Sequence, residues 1–222
     1  MRRSQAVLLL GLLSWSDPAS AQKLKIYPLT VSIHEGVHPR LTQNDVEQVL
    51  RLASDLLQQS PNSCGVGFKL KGPITTFTSA PASIDDADML EAVHRVPADV
   101  KVVQAINFCI QGRQNGLVGC SWRPYGRPKS VIVTAQMQMF GLEHLVWAHE
   151  FGHVTGLLHR NDERGALMTP CGIDAFNRHV NKEECRHFLA GPVQHYPPGL
   201  GPACSPSSST RHPQSRARHQ MD

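Results

Sequence analysis

Past its first segment the sequence has no apolar run long enough to cross a bilayer, so no membrane span is expected. It has no internal repeat and no Cys-x-x-Cys pair, and the second absence weakens any cysteine-rich metal site. The acidic run Asp85, Asp86 and Asp88 lacks the following Gly and distal Glu of an EF-hand loop. Calcium is therefore not evident, and a solvated first helical turn favoured by the helix dipole is the better account. Net charge is also scarce. The formal value is +4, but Arg2, Arg3 and Asp17 lie at one end and Arg211, Arg216, Arg218 and Asp222 at the other. What remains in between is close to neutral, about +1, which leaves no footprint for nucleic acid.

What is present begins with an export signal. Basic Met1-Arg2-Arg3 precedes an apolar run from Ala6 to Leu13, and Ala19-Ser20-Ala21 is a small-x-small cleavage site. Residues 1–21 therefore read as a signal peptide cleaved after about Ala21, with the product secreted or periplasmic. The residues after Arg3 do not extend a twin-arginine pattern. Residues 22–191 have the length of one domain, and 192–222 form a basic tail rich in Pro, Ser and Gly that buries too little to order itself. Six cysteines in an exported chain point to disulfides, with fifteen pairings open. Short loops favour Cys109–Cys120 and Cys171–Cys185, leaving Cys64–Cys204 by elimination.

Hydrophobic periodicity outlines the elements. Residues 24–37 alternate as a first strand. Thr42 and Asp45 open an amphipathic helix that runs to about Gln59, with Val46, Val49, Leu50, Ala53, Leu56 and Leu57 on one face. Val66–Thr78 reads as a strand broken by Gly72-Pro73, and Ser83–Arg95 as a short helix. Val100–Ile110 is a buried strand, 111–128 a glycine-rich loop, and 129–138 another strand. A helix over 142–155 is apolar nearly all round and hence buried, and 181–189 reads as a last helix.

The chemistry sits on that buried helix. His149 and His153 are four residues apart and share a face, so both imidazoles can reach one metal ion. Glu150 lies about 100° round the helix, beside the ion but free to act on a water. Gly156 is the residue able to take the positive φ with which the chain turns back, bringing His159 in as third ligand. Three neutral ligands leave one position open, the arrangement of one catalytic Zn²⁺. Burying these polar groups on an apolar helix costs several kcal/mol without partners, and a metal removes much of that conflict.

The string His149-Glu-Phe-Gly-His-Val-Thr-Gly-Leu-Leu-His159, followed by Ala166-Leu-Met168-Thr-Pro170, resembles the metzincin zinc endopeptidases, and in wording the matrixins most. The resemblance is specific over about 149–170 and schematic over 24–190. It implies an α+β fold: a twisted mixed sheet of about five strands, a buried zinc-site helix, a backing helix and a C-terminal helix. It makes Met168 the methionine of the turn beneath the metal, and 171–179 a wall of the substrate pocket. It also makes Val131–Gln138 the sheet-edge strand that pairs with extended substrate, although the loop 111–128 competes for that place. The implied activity is hydrolysis of protein or peptide substrates by a monomeric enzyme, with Glu150 as general base. Arg160 and Thr169 stand where matrixins carry Ser and Tyr, and Pro170 excludes a tyrosine ligand at that position.

Two alternatives accompany this reading. Ser63-Cys64-Gly65-Val66-Gly67 superficially resembles the matrixin cysteine switch, which would make 22–60 a prodomain. A non-catalytic exported binding protein with a vestigial zinc site is the other, although Glu150 is intact.

Overall fold

The structure, a computed structural model, describes residues 24–59, 63–109, 112–121, 130–135, 141–170 and 172–193. The expected signal peptide, nearly all of the tail, Cys171 and Cys204 lie outside those residues. The described chain is α+β, with ten strands and four helices.

Five strands form the central sheet in the order β4-β2-β6-β10-β9. β2 (Val31–His34), β4 (Thr75–Phe77), β6 (Val100–Val103) and β10 (Val131–Thr134) run parallel, and β9 (Gly119–Cys120) closes one end antiparallel to β10. The register sets Val31 and Ile33 against Val100 and Val102, and Val100 and Val102 against Val131 and Val133. Alternate side chains of a strand point to opposite faces, so each strand feeds two cores. Val100, Val102, Val131 and Val133 pack beneath the helices α1 (Gln43–Gln59) and α3 (Glu143–Val154). Val103 and Ile132 face a smaller core with Leu90 and Val93 of α2 (Ala87–His94).

Two smaller sheets complete the β structure. β1 (Lys25–Leu29) pairs in parallel with β3 (Val66–Leu70), and β7 (Ala105–Cys109) lies between β5 (Ser83–Ile84) and β8 (Gly112–Leu117). The first expected strand is thus two. The chain breaks at Thr30, whose backbone N–H and hydroxyl both donate to the Asp99 carboxylate, at 2.8 and 2.6 Å. The glycine-rich segment 111–128 is not simply a loop either, since it supplies β8 and β9.

That supply overturns one expectation. Val131–Thr134 is not a sheet edge: β6 pairs on one side of it and β9 on the other. Among the described residues the strand that ends the sheet on this side is β9, from the segment that is the second possibility raised by the sequence.

The C-terminal helix α4 (Lys182–Ala190) starts at a reciprocal cap: the Asn181 side chain accepts from Glu184 N–H, and Glu184 accepts from Asn181 N–H. Phe188 of α4 stacks on Phe151 of α3, which meets Phe68 and Tyr27 edge-on or tilted, and the Tyr27 hydroxyl donates to Phe188 O at 2.8 Å. This packing decides the disulfides. Cys109–Cys120 forms, but Cys185 bonds Cys64 across 121 residues, Cα–Cα 4.7 Å. The expected pairs Cys171–Cys185 and Cys64–Cys204 are therefore both corrected. Loop length favoured the near partner, but α4 packs on α3 and is hydrogen-bonded to β1, and that places Cys185 beside Cys64 at the entry to β3. A bonded Cys64 also removes its reading as a thiol that blocks the metal. Residues 25–59 belong to the core and not to a detachable prodomain.

Candidate metal centre

α3 places His149 and His153 on successive turns with Glu150 beside His149, and the helix ends as glycine dictates. Gly156 has φ +92°; its N–H donates to His153 O and Leu157 N–H donates back to Gly152 O. This left-handed termination turns the chain so that His159 meets the two helical imidazoles. The Nε2 of His153 lies 3.1 Å from the Nε2 of His149 and 3.1 Å from the Nε2 of His159.

The protonation of two rings follows from their other nitrogens. His149 Nδ1 lies 2.7 Å from Leu167 O, and His153 Nδ1 2.8 Å from Leu157 O. A carbonyl only accepts, so each Nδ1 carries the proton and each Nε2 presents a lone pair. Lone pairs that close repel unless a cation lies between them. The edge of a tetrahedral site with metal–nitrogen bonds of 2.0–2.1 Å is about 3.3 Å, near the observed separation. His149, His153 and His159 therefore suit a single metal ion and, among the described residues, form the only such cluster of three.

Electrostatics keep the site ready for a metal. Burial, aided by the charges the neighbouring rings would carry, holds His149 well below the ordinary histidine range. Burial lowers His153 too, and burial plus His153 takes His159 down to about 4. All three are thus neutral near pH 7, as ligands must be.

These directions predict the pH dependence of the metal-free protein. Unfolding returns the histidines to about 6.5, so their burial costs stability progressively as pH falls below that, for His159 down to about 4. Glu150, raised by burial to about 8, works the other way: its contribution is present at low pH and lost as pH rises through about 8. Three histidines outweigh one carboxyl below about 6.5, and the carboxyl acts alone above it. The melting temperature of chelator-treated protein, followed from about pH 4.5 to 8.5, should peak near neutrality. A steady rise to the alkaline end would contradict the assignment.

The floor and roof of the site use two glycines that the sequence reading left without a role. Gly152 lies against Met168: a Cβ there would come within 2.5 Å of the Met168 sulfur. Met168, fully buried, thus packs directly beneath the ligand helix. Above it, β9 presses on Glu150. A Cβ on Gly119 would fall 2.2 Å from Glu150 Oε1, and the Ser121 hydroxyl donates to Oε2 at 2.7 Å. That bond opposes the burial that raises the Glu150 carboxyl. Gly119 and Ser121 carry no motif. Their only signal was a glycine-rich segment preceding a strand.

After His159 the chain is held by Arg160. Its N–H donates to Met168 O at 2.8 Å, tying the residue after His159 to the turn that carries Met168. That turn is braced by the bridge Ala166–His179 and by Asn177, whose side chain donates to Ala166 O. Residues 172–179 therefore lie next to the turn.

No protein-family model matches the chain, and no curated protein matches it. Among solved structures, one titled "Structure of a chaperone-substrate complex" is similar at a TM-score of 0.46 and 14% identity over 76% of this chain. The chain spans about a third, 34%, of that structure's chain.

Proposed function

We propose that the chain is an exported zinc endopeptidase of metzincin type, matrixin-like in its motif, that hydrolyses protein or peptide substrates. The observation that carries this reading is the convergence of three neutral imidazoles beside a buried carboxyl group held under a terminal strand of a sheet. The packing of Met168 beneath Gly152 supports the metzincin comparison in particular. Two disulfides and the lack, among the described residues, of any helix able to cross a membrane are compatible with export.

His149, His153 and His159 would hold the ion. Zinc, when bound, contributes Lewis acidity toward a water and toward a peptide carbonyl. The chain's own residues do the rest. Glu150 takes a proton from the attacking water and returns it to the leaving amine. Ser121 occupies Oε2, which leaves Oε1, over Gly119, as the oxygen that moves the proton. Among the described residues β9 ends the sheet on the side of Glu150, and a terminal strand offers backbone N–H and C=O groups to an extended peptide. The substrate main chain would then run beside Gly119–Cys120, next to Glu150.

Purified protein incubated with an unfolded protein substrate should cleave it, lose that activity to a zinc chelator, and regain it when Zn²⁺ is restored. Bound zinc without cleavage across varied substrates would favour the binding protein instead.

A further inference from the structure

The three ligands are not held alike. His149 and His153 are each oriented by a backbone carbonyl on Nδ1, whereas the Nδ1 of His159 is buried and has no hydrogen-bond partner among the described residues. His159 also stands outside the helix, so neither helical geometry nor a second hydrogen bond sets its ring. Something else must place it.

The next residue, Arg160, is held by several charged and polar partners. Arg160 Nε donates to Glu184 Oε1 at 2.7 Å and Nη2 to Glu184 Oε2 at 3.2 Å, a two-point fork. Nη1 donates to Asp162 Oδ1 and Glu163 Oε2 at 3.1 and 3.0 Å, and Nη2 also to His179 O at 3.3 Å. All the guanidinium donors are thereby used. Arg160 and Glu184 are both mostly buried, at 14% and 4% side-chain exposure, so the pair is little screened by solvent. Glu184 is itself fixed: it closes the Asn181 cap, and the following residue, Cys185, is bonded to Cys64.

We infer that the Arg160–Glu184 pair is the positioning device of the third metal ligand, replacing the missing hydrogen bond on His159. Arg160 is not one of the converging ligands and acts through His159. It fixes the backbone one residue after His159 from both sides, through Met168 O and through α4. This rests on the metal centre proposed above, not on its peptidase activity. Lysine at 160 would not substitute, because a point charge cannot make the fork.

Zn²⁺ titrated into metal-free protein against a chromogenic chelator tests it. Arg160→Met and Glu184→Gln should each weaken Zn²⁺ binding about 10–100-fold, as loss of outer support does at metal sites. Together they should weaken it no further than the worse single change, because each already breaks the same fork. Co²⁺-loaded variants should show altered visible d–d bands, the mark of a displaced nitrogen ligand. Arg95→Met, which removes the exposed Arg95–Glu91 pair, is the control for general destabilisation and should leave affinity unchanged. If Arg160→Met does not fold, Glu184→Gln decides, since it keeps the side-chain shape. Affinities within about twofold of the parent, or an equal loss in Arg95→Met, would overturn the inference. Failure of the unaltered protein to take up Zn²⁺ would overturn it together with the metal centre, and that result is distinct because it appears without any substitution.

Discussion

Replacement of Glu150 by alanine should lower peptide hydrolysis by roughly 10²–10⁴-fold while leaving the metal bound. Glu150 is not one of the converging ligands, so its loss removes no nitrogen from the cluster. The side chain is buried, and burial in the metal-free protein pushes its carboxyl up to about 8. A dication beside it favours the charged form again, which puts its proton affinity near the range a general base needs. Ser121 and Gly119 hold it from one side, so the alanine variant leaves a gap next to the metal without disturbing the helix. Zinc content and kcat measured on the same preparation test the point. Full activity, or zinc lost in parallel with activity, would sink the assignment of Glu150 as base.

The second large effect concerns stability. Removing the Cys64–Cys185 bridge with paired alanines should cost about 5 kcal/mol, because it frees a loop of 121 residues in the unfolded chain. For a domain of this size that corresponds to about 10–20 °C in melting temperature. The bridge fastens α4 to the entry of β3, and α4 carries both Phe188 of the core and the Glu184 carboxylate. Thermal melts of zinc-loaded and chelated protein should both fall. A drop of less than about 3 °C in both would mean that packing of α4 alone holds it.

What could be read in the sequence follows from locality. His149, Glu150 and His153 belong together because a helix repeats every 3.6 residues, and their side chains do fall on neighbouring positions. Gly156 marks the reversal because glycine alone takes its φ of +92° without strain, and that turn carries His159 back to the others. The helix from Gln43 and its buried stripe follow from the Thr42–Asp45 cap and the same period.

The tertiary structure decided whatever depends on which distant faces are buried together. Ser121 meets Glu150 across 29 residues because β9, paired with β10, lies against α3 at Glu150, and no local period encodes that pairing. The place of β9 at the end of the sheet, with β10 enclosed, is likewise a matter of pairing order among near-equivalent apolar strands. Cys185 chose Cys64 over nearer sequence because docked helices, not loop lengths, set which sulfurs meet. Arg160 looked like a departure from a family pattern, and only the position of Glu184 on α4 shows what it grips. By itself the sequence determined which residues form the candidate site, since His149, Glu150 and His153 share one helix and His159 follows just past its glycine turn. The fold decided what holds them, because side chains far apart in the chain meet only where packing brings their elements together.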